Sequence, residues 1–302
     1  MPWKGRCAMS ISKYQVFLKT ASCGSFSKAA EAMNFTQSGI SHAINALETE
    51  LGIKLLSRNR GGVVLTADGR AVLPKIENLC AAHHALMQTV EGLKDMDSGL
   101  VKIATFSSVS AQWLPRILKS FGKLYPNIEF EVVTSDYYDK IESWIVGGAV
   151  DCGFLRLPSA KHLQTYALHR EVLQVIVPCD HPYADRDPFP VSALATEPFI
   201  QLEEGDDYEI RAAFDEMGIR PNVKYTALED RTILAMVSEG LGISLLPELM
   251  VRNSPSPVKR CPAPLHFYRT IGIGVKDEKA LSNSTRLFVD YVRKWVAENG
   301  DT

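Results

Sequence analysis

The stretch from Ser25 to Arg70, SFSKAAEAMNFTQSGISHAINALETELGIKLLSRNRGGVVLTADGR, constrains this chain more than any other. Ser27 stands at the head of a short alanine-rich segment (Ala29, Ala30, Ala32, Met33) and Thr36 at the head of a longer one, so each offers a side-chain oxygen to cap a helix. Two helices joined by so short a turn have helix-turn-helix spacing. In the second, Gln37 to Leu51, the apolar residues Ile40, Ile44, Leu47 and Leu51 recur at steps of four, three and four and share one face. The opposite face carries Gln37, Ser38, Ser41, His42 and Asn45.

These short or flat polar side chains gather at the N-terminal end, as in a helix that puts its first turns into a DNA major groove. An ordinary solvated helix face would also be polar, so the segment that follows decides between the two readings. Lys54 to Arg58 and Val63 to Leu65 read as two short strands around the basic glycine turn Asn59-Arg60-Gly61-Gly62. A hairpin placed there is a wing. Arg58 and Arg60 near its tip suit contact with phosphate or a narrow minor groove, and Lys28 adds a cation at the start of the preceding helix.

The order GSFSKAAEAMNFTQSGISHAINALETELGIKLLSRNRGGVVLTADG resembles the N-terminal signature of LysR-type transcriptional regulators. The Ala-Ala pair, the Ser/Thr-x-x-x-Ile-Ser helix start, Leu-Glu-x-x-Leu-Gly and the Leu-Thr-x-x-Gly close carry the resemblance over roughly 50 residues. Two residues depart from the pattern: Leu56 stands where the family usually has Phe, and Ser38 where it often has Pro. His42 and Asn45 replace the basic or amide residues of many members, which bears on base preference. The resemblance begins at Met9, so Met1 to Ala8 read as an extension or Met9 as an alternative start.

A chain of 302 residues exceeds one winged module and suits two or three domains. At 46% hydrophobic and 23% charged, its composition is that of a folded globular protein. The net charge of -2 hides an uneven distribution, because residues 1–70 hold nine Lys/Arg against four acids and the remainder 24 against 31. A basic head on an acidic body fits a module that meets phosphate. No run of roughly 18 apolar residues is present and the N-terminus lacks a signal-type apolar segment, so the expected location is the cytoplasm and no membrane partner is expected.

Helix 1 is predicted from Ser12 to Ser22, with Tyr14, Phe17, Leu18 and Ala21 as its buried stripe. After the wing, Thr66 and Asp68 mark a helix start, and Val72, Ile76, Leu79, His83, Leu86, Val90 and Leu93 form a heptad seam. Such a helix spans about 42 Å and reads as a dimerisation linker. Leu100 to Phe106, Ala111 to Leu124, Ile128 to Thr134, Asp136 to Val146 and Asp151 to Leu155 alternate as βαβαβ, which implies a parallel sheet. A second lobe begins near Glu171, with strands Val172 to Val177, Pro198 to Leu202, Val223 to Thr226 and Ile243 to Leu246, and helices Asp207 to Met217 and Arg231 to Glu239. Leu265 to Val275 returns as a strand, and Thr285 to Ala297 is an amphipathic helix that the family resemblance implies rejoins the first lobe.

The expected fold is thus α/β overall: an α-rich winged helix-turn-helix domain (9–66), a linker helix (67–97), and a two-lobed α/β effector domain resembling periplasmic binding proteins. Its first lobe comprises 100–170 and 268–302, and its second 171–267. The resemblance implies a DNA operator, a small-molecule effector and a homodimer or homotetramer as partners. Open parallel sheets bind ligands beyond the carboxyl ends of their strands. Ser107 and Ser108 follow the first strand there, where free backbone amides suit a carboxylate, and Thr134, Arg156, Gln201 and Thr226 follow from the same topology.

No catalytic constellation is present: Gly240-x-Gly242 lacks the remaining dinucleotide-binding features, and there is no GxSxG, HExxH or Walker motif. An enzyme is therefore not expected, nor a cofactor or metal. The acidic run Glu203, Glu204, Asp206, Asp207, Glu209 reads either as a helix start favoured by the macrodipole or as a cleft mouth that greets a cation. The six cysteines form no CxxC, but Cys179 and Cys261 fall in one lobe, so a thiol-redox regulator on the same scaffold is the alternative.

Overall fold

A computed structural model describes residues 7–59, 62–94, 98–202, 209–264 and 268–300. The chain divides near residues 96–97 into two compact units. The first is built from α1 (Cys7–Cys23), α2 (Phe26–Met33), α3 (Gln37–Leu51), the hairpin β1 (Leu56–Asn59) and β2 (Gly62–Leu65), and α4 (Ala67–Lys94). Helix α1 starts earlier than its apolar stripe predicts, since neither Gly nor Pro interrupts residues 7–11. The cap of α2 is Ser25, not Ser27: the Ser25 hydroxyl accepts the Lys28 N–H at 3.4 Å. The expected cap of α3 is present, with the Gly39 N–H donating to Thr36 Oγ1 at 3.1 Å. Gly52 ends α3 at φ 71°, a left-handed conformation that suits glycine.

Val16, Phe17, Ala30, Ile40, Ile44, Leu47, Leu55 and Ile76 form the core of this unit. Leu51, expected on the same face of α3, is exposed at the helix end. The two wing strands pair antiparallel, from Leu56 opposite Leu65 to Asn59 opposite Gly62. The Val63 N–H donates to the Gly24 carbonyl at 2.8 Å, and a Cβ on Gly62 would lie 2.5 Å from that same oxygen. A side chain there would push the wing off the turn between α1 and α2. Helix α4 continues through Pro74 for 28 residues. Ile76 is buried in the unit's own core and Val72 packs against it, whereas Leu79, Leu86 and Met87 are exposed. The side chain of Leu93 lies outside the described residues.

The second unit runs β3 (Ser98–Thr105), α5 (Ser107–Gln112), α6 (Leu114–Leu124), β4 (Asn127–Thr134), α7 (Tyr138–Gly147), β5 (Cys152–Leu157), β6 (Gln164–Pro178), α8 (Val191–Thr196), β7 (Pro198–Leu202), α9 (Glu209–Met217), β8 (Asn222–Ala227), α10 (Asp230–Ser238), β9 (Ser244–Pro247), α11 (Glu248–Val251), β10 (Val258–Pro262), β11 (Tyr268–Val275) and α12 (Asn283–Asn299). The principal sheet has the order β10-β6-β11-β5-β3-β4, with β9 also on β6. Strand β3 is parallel to β4 and β5 as the alternation predicts, but β11 is antiparallel to both β5 and β6. The sheet is therefore mixed. A separate parallel pair, β7 and β8, joins it through the Ile200 N–H bond to the Ile243 carbonyl at 2.9 Å.

Two hydrophobic cores result. One gathers Ile103, Phe121, Phe154, Ile271 and, from α12, Phe288, Val289, Val292 and Val296. The other gathers Val175, Phe199, Leu234 and Leu245. The strand expected to open the second lobe at Val172 is the far half of the 15-residue β6, which pairs with β11 at one end and with β9 and β10 at the other. The strand expected from Leu265 is seen from Tyr268, and residues 265–267 lie outside the described residues.

Candidate DNA interface and effector cleft

Ile40, Ile44 and Leu47 are at most 2% exposed, and their burial turns the opposite face of α3 outward. Gln37, Ser38, His42 and Asn45 are exposed there, and Ser41 is half-buried. Two of these side chains are held by neighbours: Gln37 Oε1 accepts the Ser27 hydroxyl at 3.3 Å, and the Ser38 hydroxyl lies 3.1 Å from that of Thr36. Lys28 is exposed on α2. Arg58 is exposed on β1, with its guanidinium 4.9 Å from the Phe26 ring centroid. Arg60, the other expected wing contact, lies outside the described residues.

Between α3 and β1 is a notch of about 190 Å³ lined by Ser41, Asn45, Ser57, Arg58 and Glu48 among others. Glu48, to which the sequence pattern gave no role, is only 6% exposed. Its Oε1 accepts the Leu55 and Leu56 N–H groups at 2.8 and 3.2 Å, and its Oε2 accepts Lys54 Nζ at 2.6 Å. Burial pushes this carboxyl up, but the Lys54 contact and the two amides outweigh it and hold the pKa below the usual range.

In the second unit the expected effector residues form two groups. On one lobe, Ser107 and Ser108 open α5, Thr134 is exposed at the end of β4 opposite Thr105, and half-buried Arg156 in β5 lies 5.9 Å from the Tyr138 ring centroid. On the other, half-buried Gln201 in β7 pairs in register with exposed Thr226 in β8. The expectation of open amides at Ser107 is corrected, because its N–H donates to the Asp136 carboxylate at 2.8 Å. The protein's own carboxylate takes the place foreseen for a ligand's. Ser108 is 2% exposed, and its hydroxyl accepts an N–H of Arg269 at 3.1 Å.

Arg269 and Glu171 are a pair that no local sequence pattern reveals. They face each other in the β6–β11 register, 1% exposed each. Arg269 Nε donates to Glu171 Oε1 at 2.7 Å and a terminal guanidinium nitrogen also reaches it. Another terminal nitrogen donates to the Tyr138 hydroxyl at 2.8 Å, and the guanidinium lies 5.0 Å from the Phe106 ring centroid. Glu171 Oε2 accepts the Leu249 N–H at 2.7 Å. One buried ion pair thus ties α5, α7 and α11 to the paired strands β6 and β11. Between the lobes, burial raises the pKa of Asp230 at the start of α10; the Arg231 amide opposes that rise and the charge of Asp136 adds to it.

Cys261 is buried, its thiol raised by that burial, and it stands opposite Val175 in the β10–β6 ladder. Cys179 is exposed, four residues further along β6 and beyond its end. That offset is about 13 Å, too far for a disulfide without backbone movement. The acidic run at 203–208 lies outside the described residues, as does the side chain of Glu209. Among the described residues no group of His, Cys, Asp and Glu has metal-site geometry, and no helix is long and apolar enough to cross a membrane.

Comparison with known proteins agrees with this arrangement. Residues 11–70 match the model of the bacterial regulatory helix-turn-helix protein, lysR family, and residues 94–297 match that of the LysR substrate binding domain. The HTH-type transcriptional regulator YvbU of Bacillus subtilis (strain 168) is 29% identical over 95% of this chain and 98% of its own. The probable HTH-type transcriptional regulator LrrA of Synechococcus elongatus is 30% identical over 96% and 98%. Among solved structures, full-length CbnR, a LysR family transcriptional regulator, in complex with its target DNA superposes with a TM-score of 0.69 at 20% identity, covering 94% of this chain and 99% of that one. The chain belongs to the LysR family of transcriptional regulators, with an N-terminal helix-turn-helix DNA-binding domain and a C-terminal effector-binding domain, and is not an enzyme.

Proposed function

We propose that this regulator acts in the cytoplasm, binds a two-fold operator as a dimer or tetramer, and responds to a small molecule held between the lobes of its effector domain. The winged domain spans 9–66, the linker 67–97, and the effector lobes 100–170 with 268–302 and 171–267. Gln37, Ser38, Ser41, His42 and Asn45 meet the major groove, while Lys28, Arg58 and Arg60 hold the DNA backbone. The observation that carries this reading is the division of α3 into a buried apolar face and an exposed polar one beside the wing. CbnR, solved with its target DNA, shares the fold and supports the same use of the N-terminal domain.

Self-association rests on α4, where Leu79 is 45% and Leu86 59% exposed. Leaving that much apolar side chain in water is unfavourable, and a second copy of the helix would cover it. The effector contacts are Ser107, Ser108, Thr134, Arg156, Gln201 and Thr226. With the Ser107 amide already taken by Asp136 and the Ser108 hydroxyl accepting from Arg269, the effector meets the Ser107 hydroxyl and Arg156 more than the backbone, and Ser108 through its remaining hydroxyl proton. The test is light scattering and duplex binding of a Leu79→Asp, Leu86→Asp variant. Dimerisation and DNA affinity should fall together; an unchanged dimer removes α4 from the interface.

A further inference from the structure

Two residues outside the proposed DNA contacts converge on one of them. Glu48 lies on α3 and is nearly buried, yet each of its oxygens is engaged, and two of its three donors are the Leu55 and Leu56 backbone amides. Leu56 is the first residue of β1, the strand that carries Arg58. A buried carboxylate must keep its donors or lose its compensation for leaving water, so β1 cannot shift along α3 without stranding that charge. Two residues along, Arg58 sets its guanidinium 4.9 Å from the centroid of Phe26, the first residue of α2. Phe26 itself packs against the core of the unit, which fixes the ring.

An arginine on an exposed strand would otherwise spread over many rotamers, and ordering it on binding costs entropy. The ring face draws the guanidinium to one place by cation–π attraction. That place borders the notch walled by Ser41 and Asn45 of α3 and by Ser57 of β1. We infer that Glu48 and Phe26 are positioning residues for Arg58: Glu48 fixes the strand against the reading helix, Phe26 fixes the guanidinium, and together they present it to a DNA phosphate beside the middle turns of α3. This rests on the reading of Arg58 as a backbone contact. Neither residue touches DNA in this scheme, and both act through Arg58.

The experiment uses the full chain and a 40-bp duplex of mixed sequence, with affinity measured by fluorescence anisotropy across a salt series. Arg58→Ala should weaken binding about tenfold and reduce the salt slope by about one per protomer. Phe26→Leu and, as a second ring-free side chain, Phe26→Met should each weaken binding about threefold, with Phe26→Tyr restoring it. Glu48→Gln keeps the amide contacts of Oε1 and gives up the Lys54 ion pair, so it should cost less than Glu48→Leu. The decisive comparison is each substitution in the Arg58→Ala background, where it should cost nothing further. A cost that is the same in both backgrounds would show a general structural role and overturn the inference. If Arg58→Ala itself changes neither affinity nor slope, the phosphate-contact reading fails first, and the positioning role with it.

Discussion

Glu171→Ala should destabilise the effector domain strongly, and the size follows from what the carboxylate touches. Its removal strands the Arg269 guanidinium, 1% exposed and surrounded by Phe106, Tyr138 and Ser108, and also orphans the buried Leu249 N–H. Leaving one member of a buried pair uncompensated costs about 3–5 kcal/mol, and a lost partner for a buried amide is itself worth about 1–3 kcal/mol. These overlap, so about 4 kcal/mol is the working figure. Replacing both residues, Glu171→Leu with Arg269→Met, removes the charges together and leaves only neutral groups unsatisfied. That double variant should lose about 1–3 kcal/mol, less than the single one. Urea unfolding followed by tryptophan fluorescence in a Trp3→Phe background isolates the relevant unit, because the three remaining tryptophans, Trp113, Trp144 and Trp295, all lie in it. With a slope of about 2 kcal/mol per molar urea, the single variant should shift the midpoint by about 2 M. A loss under about 0.5 kcal/mol, or a double variant worse than the single, would refute the reasoning.

Three further outcomes are expected. The depressed carboxyl of Glu48 means that its contribution to the winged domain is present above the ordinary carboxylate range and lost as pH falls through its folded value; an acid titration by circular dichroism should show a shallower loss in Glu48→Gln, and superimposable curves would contradict this. Ser108→Ala and Gln201→Ala should raise the effector concentration needed for a response without altering operator affinity in its absence, measured by calorimetry once an effector is found; unchanged effector affinity in both would move the site elsewhere. A thiol-alkylating reagent should label exposed Cys179 and spare buried Cys261, with peptide mass spectrometry as the readout, and a Cys179–Cys261 disulfide after mild oxidation would contradict the geometry.

Local chemistry made much of the fold legible. Thr36 and Gly52 bracket α3, so its limits follow from a cap and a left-handed stop, and Pro198 to Leu202 is a strand with the expected ends. Legibility failed where two signals compete over a few residues. Ser25 and Ser27 are both competent caps, and the chain uses Ser25 because Phe26 already lies in the helix. Helix α5 has six residues, too few to show a period, so Ser107 to Gln112 reads as loop and helix together. The short elements α8, α11 and β10 leave no readable period for the same reason. Strand β6 reads as a new beginning at Val172 because its earlier half, Gln164 to Glu171, has no alternation and ends in His169-Arg170-Glu171, whereas Val175 to Pro178 are buried on both faces.

Site residues divide along the same line. The polar face of α3 could be read because its members share one helix. Glu48 appears in the Leu-Glu-x-x-Leu-Gly motif, but its partners depend on where the wing docks. The Arg269–Glu171 pair joins residues 98 apart in sequence, and only the antiparallel return of β11 onto β6 brings them face to face. Asp136 is hidden for a different reason: its carboxylate reads as the acidic start of the next helix, whereas the parallel β3–β4 pairing places it over the first amide of α5.

The most direct test of the whole account is selection of DNA fragments by the purified full chain, followed by sequencing, with wild type, Ser41→Ala and Arg58→Ala compared side by side. The wild type should enrich a dyad-symmetric site whose half-sites lie whole helical turns apart, about 10 bp or a multiple of it. Ser41→Ala should relax the preference at corresponding positions of both half-sites, and Arg58→Ala should lower the yield of every site while leaving the motif intact. Enrichment of no symmetric site, or a motif redirected by Arg58→Ala and untouched by Ser41→Ala, would contradict it.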